Sequence, residues 1–237
     1  MQINVKEAAR LLAVSEKTIY RWIRLGEIPA YRINDLYRFS RAELLEWATA
    51  KRLAVSPEIF AEAAGQDPLP GLADAIKAGG IHYRVSGETK QDVLEAIVGL
   101  MQLPEEVDRK FLLNVILARE SLGSTGFGGG IAIPHVRNPI VLHIHRPMIT
   151  LCFLETPVEF GAIDGQPVHT LFTLVSPTVQ AHLHLLSRLT YGLRQPRFSV
   201  PVAEKATREV LLEGAAAVDL AARPAASRET GTREAAR

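Results

Sequence analysis

Between Arg119 and Arg137 the chain reads Arg-Glu-Ser-Leu-Gly-Ser-Thr-Gly-Phe-Gly-Gly-Gly-Ile-Ala-Ile-Pro-His-Val-Arg. The residue types in this stretch suit phosphoryl chemistry. A neutral imidazole, here His135, is a nucleophile near pH 7. Glycines let backbone N–H groups approach an anion closely. The guanidinium forks of Arg119 and Arg137 neutralise phosphate through paired donors. Ser124 and Thr125 add hydroxyls, which either donate to phosphate or only cap the loop; both uses stay open. Other chemistries are excluded by what is missing. Gly128-Gly129-Gly130 lacks the Lys-Ser/Thr that would follow in a nucleotide-binding P-loop, and no Gly-x-Ser-x-Gly elbow is present.

The order Arg119-Glu120-x-x-x-Ser124-Thr125, then glycines, then Ile131-Ala132-Ile133-Pro134-His135 resembles the phosphorylation site of enzyme IIA proteins. These are the fructose/mannitol-type IIA proteins of the phosphoenolpyruvate-dependent phosphotransferase system, with the nitrogen-regulatory IIA protein as the nearest branch. The resemblance implies that His135 carries the phosphoryl group and that Arg119 sits beside it. It makes His182 the second histidine, at the start of a helix facing the first. An imidazole N–H there can hold a phosphoryl oxygen for in-line transfer. Glu120, Ser124, Thr125 and Arg137 would support the phosphate site. The implied partners are an HPr-type phosphocarrier as donor and an enzyme IIB or another regulatory protein downstream. Two departures stand out: Val136 replaces the family's usual glycine, and Pro196 and Pro201 interrupt a normally more helical end.

The remaining histidines are weaker candidates. His184 is expected at the surface, and His82 and His169 as structural or surface residues. His143 and His145 share a strand face and with His135 or His182 would suggest zinc. No Cys or carboxylate completes a familiar ligand spacing, so neither a metal nor a cofactor is expected.

Length and composition set the frame. The chain has 237 residues, enough for one large domain or two ordinary ones, and is 47% hydrophobic. One cysteine, Cys152, rules out an intrachain disulfide and fits a reducing compartment. The first residues show no signal-peptide pattern, and no apolar run approaches the ~18–20 residues of a membrane span. The expected setting is therefore the cytoplasm, with no membrane insertion. The net charge of +1 is uneven: residues 1–53 hold ten Lys/Arg against six acids, leaving −3 for the rest. A basic module on a mildly acidic body suits a nucleic-acid reader joined to a sensor.

The elements of that module follow from periodicity. Residues 5–13 read as a short amphipathic helix. Ser15 caps a second helix, 16–25, with Ile19, Trp22 and Ile23 on one face and Gly26 closing it. Two short helices around a tight turn form a helix-turn-helix. Residues 28–33 and 36–39, joined by Asn34-Asp35, read as a β-hairpin wing, and 41–52 as a third helix burying Leu44, Leu45 and Trp47. Val-Lys-Glu-Ala-Ala-Arg-Leu-Leu, Val-Ser-Glu-Lys-Thr-Ile-Tyr-Arg-Trp-Ile, Gly-Glu-Ile-Pro-Ala and Tyr-Arg-Phe-Ser resemble the excisionase-like, MerR-related winged helix-turn-helix family. The resemblance implies that Lys17, Thr18, Tyr20, Arg21 and Arg24 face DNA, with Arg32 and Arg38 reaching from the wing.

The fold expected is mixed α/β (α+β): a small winged helix-turn-helix domain, 1–53, a proline-marked linker, 54–70, and a IIA-type domain, 71–220. The last has a mixed β-sheet flanked by helices, and 221–237 forms a disordered tail. Within the IIA-type part the pattern predicts helices over 72–78, 90–102, 105–118, 178–194 and 203–212. Strands are predicted over 81–85, 131–133, 140–145, 147–154 and 168–175. Two functions stay open. One is a DNA-binding regulator that responds to phosphorylation. The other is a phosphocarrier, sugar-transport component or protein-binding regulator that does not read DNA. A homo-oligomer is compatible with either.

Overall fold

The computed structural model describes residues 2–33, 36–40, 43–44, 47–48, 51, 53, 69–136 and 144–222. The Asn34-Asp35 turn, Leu45 and most of the third helix, linker residues 54–68, Arg137, His143, strand residues 140–143 and tail residues 223–237 lie outside them.

In the N-terminal module, Asn4 caps α1 (Val5–Leu11) in a reciprocal box. Its side chain accepts from the Glu7 N–H at 2.9 Å, and the Glu7 carboxylate accepts from the Asn4 N–H at 2.8 Å. Ser15 caps α2 (Glu16–Arg24), as its position before the apolar period suggests. The wing has strands β2 (Tyr31–Ile33) and β3 (Leu36–Ser40), antiparallel. A third strand, β1 (Gln2–Ile3), pairs with β3 on its other side. The periodicity misses it because two residues carry no pattern. Ile19, Phe39 and Leu44 are buried at the centre, and Trp22 meets Trp47 edge-on at 5.1 Å.

The C-terminal body is a five-stranded mixed sheet between two helical layers. Its elements are α3 (Leu72–Gly79), β4 (Ile81–Val85), α4 (Lys90–Leu100), α5 (Arg109–Ser121), β5 (Gly126–Gly128), β6 (Ile131–Ala132), β7 (Met148–Val158), β8 (Val168–Val175), α6 (Val179–Gly192), α7 (Pro196–Ala203) and α8 (Arg208–Ala221). Strand order is β4-β7-β8-β6-β5. The β4–β7 and β6–β8 pairs are parallel; β7–β8 and β5–β6 are antiparallel.

The long central strand β7 shows why two layers form. Its side chains alternate: Met148, Cys152 and Leu154 join one core with Val93, Leu94, Ile97 and Leu112, whereas Ile149, Leu151 and Phe153 join the other with Leu72, Leu185, Leu189 and Phe198. A strand apolar on both faces is stable only when both are covered. Helices α4 and α5 cover one face; α3, α6, α7 and α8 cover the other. Burial raises the Cys152 thiol to about 12, so this cysteine is a packed hydrophobe.

Three expectations are corrected. The helix expected over 105–118 begins at Arg109, because Asp108, a stronger cap than the residues around Pro104, accepts the Phe111 N–H at 3.0 Å. Instead of one helix over 203–212 there are two. Pro196 opens α7 rather than breaking it, since the first helical position needs no N–H bond, and α7 runs through Pro201. Helix α8 then continues to Ala221. Of the strand expected over 140–145, Ile144 and His145 are described and lie outside any strand. No helix among the described residues is long and apolar enough to cross a membrane.

Candidate functional site

His135 sits where β6 ends. Pro134 cannot extend the ladder, but its carbonyl accepts the Leu174 N–H at 2.9 Å, which keeps the chain against β8 in a parallel bridge. His135 is therefore held at the end of an interior strand, beside β8, and is 5% exposed. Its Nδ1 lies 2.8 Å from the Ile133 carbonyl oxygen. A carbonyl can only accept, so Nδ1 carries the hydrogen, and in the neutral ring the lone pair is on Nε2. Sequence alone cannot supply this tautomer-fixing partner, because it is a backbone oxygen two residues upstream.

His182 comes from the first turn of α6. Thr178 caps that helix through the Ala181 N–H at 3.1 Å, and Ser176 in turn donates to the Thr178 carbonyl at 3.2 Å. This fixes where the helix starts and so where His182 points. The His135 and His182 rings lie 5.2 Å apart, centroid to centroid, tilted by 47°. The structure thus brings together two histidines 47 positions apart in the sequence.

The glycine loop between α5 and β6 is braced from below. Glu120 is buried, and its carboxylate accepts the Thr125 N–H at 3.1 Å to each oxygen, the Thr125 hydroxyl at 2.6 Å and the Lys90 ammonium at 3.1 Å. The Thr125 carbonyl accepts the Ile133 N–H at 3.0 Å, and the Ile133 carbonyl holds His135. A continuous path of bonds runs from Lys90 to the imidazole. Ser124 donates to the Phe160 carbonyl at 2.7 Å and accepts from the Gly126 N–H at 3.0 Å. The hydroxyl hydrogens of Ser124 and Thr125 are both directed within the loop framework. Lys90, whose ammonium also stands 4.9 Å over the Phe160 ring, carries no motif signal; only the packing of α4 on α5 reveals it.

The turn-rich segment after β7 closes the loop from the other side. Asp164 accepts the Gly129 N–H at 2.8 Å. A Cβ at Gly126 would stand 2.6 Å from that of Ala162. At Gly130 it would stand 2.3 Å from the His169 ring, at a backbone φ of +72° that only glycine adopts freely. Arg119 leaves the last turn of α5 and donates to the Gly123 carbonyl at 3.0 Å, at the loop's entrance. Arg137 lies outside the described residues.

His184 is a correction: it is buried, not at the surface. Desolvation, with Arg188 adding repulsion, lowers its pKa to about 4 against a smaller opposing pull from the Pro70 backbone. Beside it, Arg188 pairs with Asp219 at 2.9 Å, and Asp219 accepts the Leu72 and Ala73 N–H groups at 2.8 and 3.1 Å. A carboxylate from α8 thus caps α3, whose own cap position is Gly71. His82 and His169 are half-buried, each with a lowered pKa from desolvation first. His145 is exposed.

In the N-terminal module, Lys17, Tyr20, Arg21 and Arg24 are exposed on α2, and their spacing sets them on one stripe. Thr18 is half-buried, its hydroxyl 2.9 Å from that of Ser15 at the helix cap. Arg38 is half-buried on β3. Arg32 pairs through its backbone with Tyr37, and its side chain lies outside the described residues.

Comparison with known proteins adds identity to this geometry. The family model described as "Phosphoenolpyruvate-dependent sugar phosphotransferase system, EIIA 2" matches residues 75–213, and a helix-turn-helix domain model matches residues 3–52. The chain is 41% identical over 142 residues to a nitrogen regulatory protein of Pseudomonas aeruginosa, covering 56% of this chain and 90% of that one. It is 42% identical over 106 residues to the nitrogen regulatory protein of Escherichia coli K12, covering 44% of this chain and 64% of that one. Among solved structures it is similar to the nitrogen regulatory protein IIA-Ntr of Neisseria meningitidis. That likeness has a TM-score of 0.53 and 26% identity, over 60% of this chain and 97% of the other.

Proposed function

The chain belongs to the phosphotransferase-system EIIA type-2 family through residues 75–213, and from that premise we propose that it is a phosphorylation-responsive DNA-binding regulator. His135 takes a phosphoryl group from an HPr-type phosphocarrier, and the helix-turn-helix module reads DNA. The observation that carries the first half is the His135 tautomer: Nδ1–H on the Ile133 carbonyl puts the nucleophilic pair on Nε2.

The transfer balances without a further reactant. The Nε2 lone pair of His135 forms a bond to phosphorus. The donor's own P–N bond breaks, and its electron pair returns to the donor ring nitrogen. The Ile133 carbonyl, still bonded to Nδ1–H, steadies the positive charge the ring acquires. His182, with its ring 5.2 Å away, is placed to donate to a phosphoryl oxygen, and Arg119 at the loop entrance contributes positive charge. From there the group passes to an enzyme IIB-type acceptor or remains as a signal.

The second half rests on the exposed stripe Lys17, Tyr20, Arg21 and Arg24 of α2, which matches a helix entering the major groove. The test of the whole reading is incubation with phosphoenolpyruvate, enzyme I and an HPr-type carrier. Acid-labile phosphate should appear on wild type and not on His135→Ala. Label that persists in the variant, or survives acid, removes the proposal.

A further inference from the structure

Helix α6 has two sides with different duties. The side bearing Leu185, Leu186 and Leu189 belongs to the core under the sheet, and His182 leaves the helix at nearly the same angle, toward His135. A second stripe runs along its flank. Leu183 lies near the start of α6, and Arg194 lies in the turn just past its C-terminal cap, Leu193. Between them on that flank, Ser187 and Thr190 are buried.

Leu183 and Arg194 both touch the N-terminal module. Leu183 packs against the cluster formed by Ile3, Ile19, Phe39 and Leu44, to which Trp22, Trp47 and Leu53 also belong. Arg194 donates through Nη2 to the Leu53 carbonyl at 3.1 Å, and Leu53 is tied back to its module by donating to the Ala48 carbonyl at 2.9 Å. Among the described residues, an apolar contact and a charged hydrogen bond thus seat the module against α6 and the turn that follows it. The seating leaves Lys17, Tyr20, Arg21 and Arg24 exposed, so the contact sets the orientation of the recognition helix without covering it.

Leu183 lies between His182 and His184. His182 is 2% exposed and His135 5%, so a phosphoryl group on Nε2 enters a closed space. Phosphorus and its oxygens fit beside His182 only if that ring turns or the first turn of α6 shifts. The first turn of α6 is anchored at Thr178, whose hydroxyl accepts the Ala181 N–H at 3.1 Å and whose carbonyl accepts the His182 N–H at 3.0 Å, so a shift of His182 is carried by that cap. Leu183 shares that turn's backbone with His182.

Resting on the assignment of His135 as the phosphoryl acceptor, we infer that the flank of α6 at Leu183, together with Arg194 in the turn that follows the helix, is the docking surface for the chain's own helix-turn-helix module. Through this surface the phosphorylation of His135 changes how the module is held. It is an internal interface read out by a phosphoryl group two residues' reach away, through the His182 ring.

The chain supplies its own reporter. Its only two tryptophans, Trp22 and Trp47, are both in the N-terminal module and pack with the cluster that Leu183 joins. The full chain is loaded with phosphoenolpyruvate, enzyme I and an HPr-type carrier, freed of the carriers, and its phosphate verified by intact mass before and after acid. Loading should shift the tryptophan emission, and Leu183→Ala and Arg194→Ala should each remove most of that shift. In the unloaded protein, Leu183→Asp should itself shift the emission toward that of the loaded wild type. Acid-labile phosphate on His135 with unchanged emission overturns the inference while leaving the phosphoryl reading intact, as does a Leu183→Asp emission identical to wild type. Absence of acid-labile phosphate removes the phosphoryl reading and this inference with it.

Discussion

Glu120→Ala tests whether the bonds below the glycine loop set the chemistry above it. The carboxylate side chain is 3% exposed and Lys90 29%. It takes bonds from the Thr125 N–H, the Thr125 hydroxyl and the Lys90 ammonium. Breaking a buried ion pair from one side costs about 3–5 kcal/mol. Lys90 can turn partly to solvent, so the lower figure applies, about 3 kcal/mol. At ~2–4 °C per kcal/mol for a domain of this size, the melting temperature should fall by about 6–12 °C. The kinetic effect is separable. A loosened Thr125 no longer holds Ile133, and the Ile133 bond to Nδ1, worth ~0.5–1.5 kcal/mol, weakens. The reactive tautomer then falls by about 2–10-fold, and phosphoryl acceptance falls with it. The assay pairs thermal melting with the acceptance rate and with ¹⁵N shifts of the His135 ring. Glu120→Gln, which keeps an acceptor for the Thr125 N–H, should lie between. A Glu120→Ala protein that melts low but keeps the Nδ1–H tautomer and the wild-type rate would refute the coupling and reduce Glu120 to a loop brace.

Three further outcomes are expected. Arg119→Lys keeps the charge but loses the fork, so acceptance should slow with little change in melting. Arg119→Ala should also lose the Gly123 bond, costing about 1 kcal/mol of stability, and normal transfer by Arg119→Lys alongside an unfolded Arg119→Ala would make this arginine structural. The buried His184 has a folded pKa of about 4 against the ordinary histidine value of 6.5, so the unfolded chain binds more protons between these values. Its contribution is therefore complete above pH 6.5 and lost as pH falls toward 4; His184→Gln should flatten that part of a urea-melt pH series, and an unchanged slope would contradict the burial argument. Finally, Arg21→Ala or Arg24→Ala should weaken DNA binding without melting the module, with affinity falling as salt rises through counterion release. Failure of the full chain to select any DNA from a random pool would favour a protein-binding module.

What the sequence makes legible here is local pattern. The period of α4 names Val93, Leu94, Ile97 and Val98 as buried, and they are. Pro134 marks the end of β6, and Ser15 the start of α2. What it hides depends on where the chain returns. Lys90 and Glu120 are thirty positions apart and meet only because α4 and α5 pack together. The partner of Nδ1 is a carbonyl, which no residue type announces. His184 looks like a polar residue on an exposed turn until Pro70 and Asp219 close over it. Asp219, near the end of the described chain, caps a helix that begins at Leu72, and no local rule connects them. On α2, the shared face of Lys17, Tyr20, Arg21 and Arg24 follows from their spacing, whereas Thr18 is half-buried with its hydroxyl at that of Ser15.

Charge alone is a weak candidate for joining the two halves. A phosphoryl group adds roughly −1.5 to −2 charges to a body that already carries −3 outside residues 1–53. DNA repels that charge, but a Debye length of ~8 Å at physiological salt screens most of it between the body and DNA held on the N-terminal module. Such repulsion falls further with added salt. A packed contact behaves differently. Leu183 against the module's core is apolar, and apolar contacts are not weakened by moderate salt. A His135-dependent change transmitted through α6 should therefore persist where a purely electrostatic one fades. His135 and His182 are both buried, so the proposed phosphoryl group would have to displace its neighbours. That placement favours displacement of the first turn of α6 over long-range repulsion as the link between chemistry and orientation.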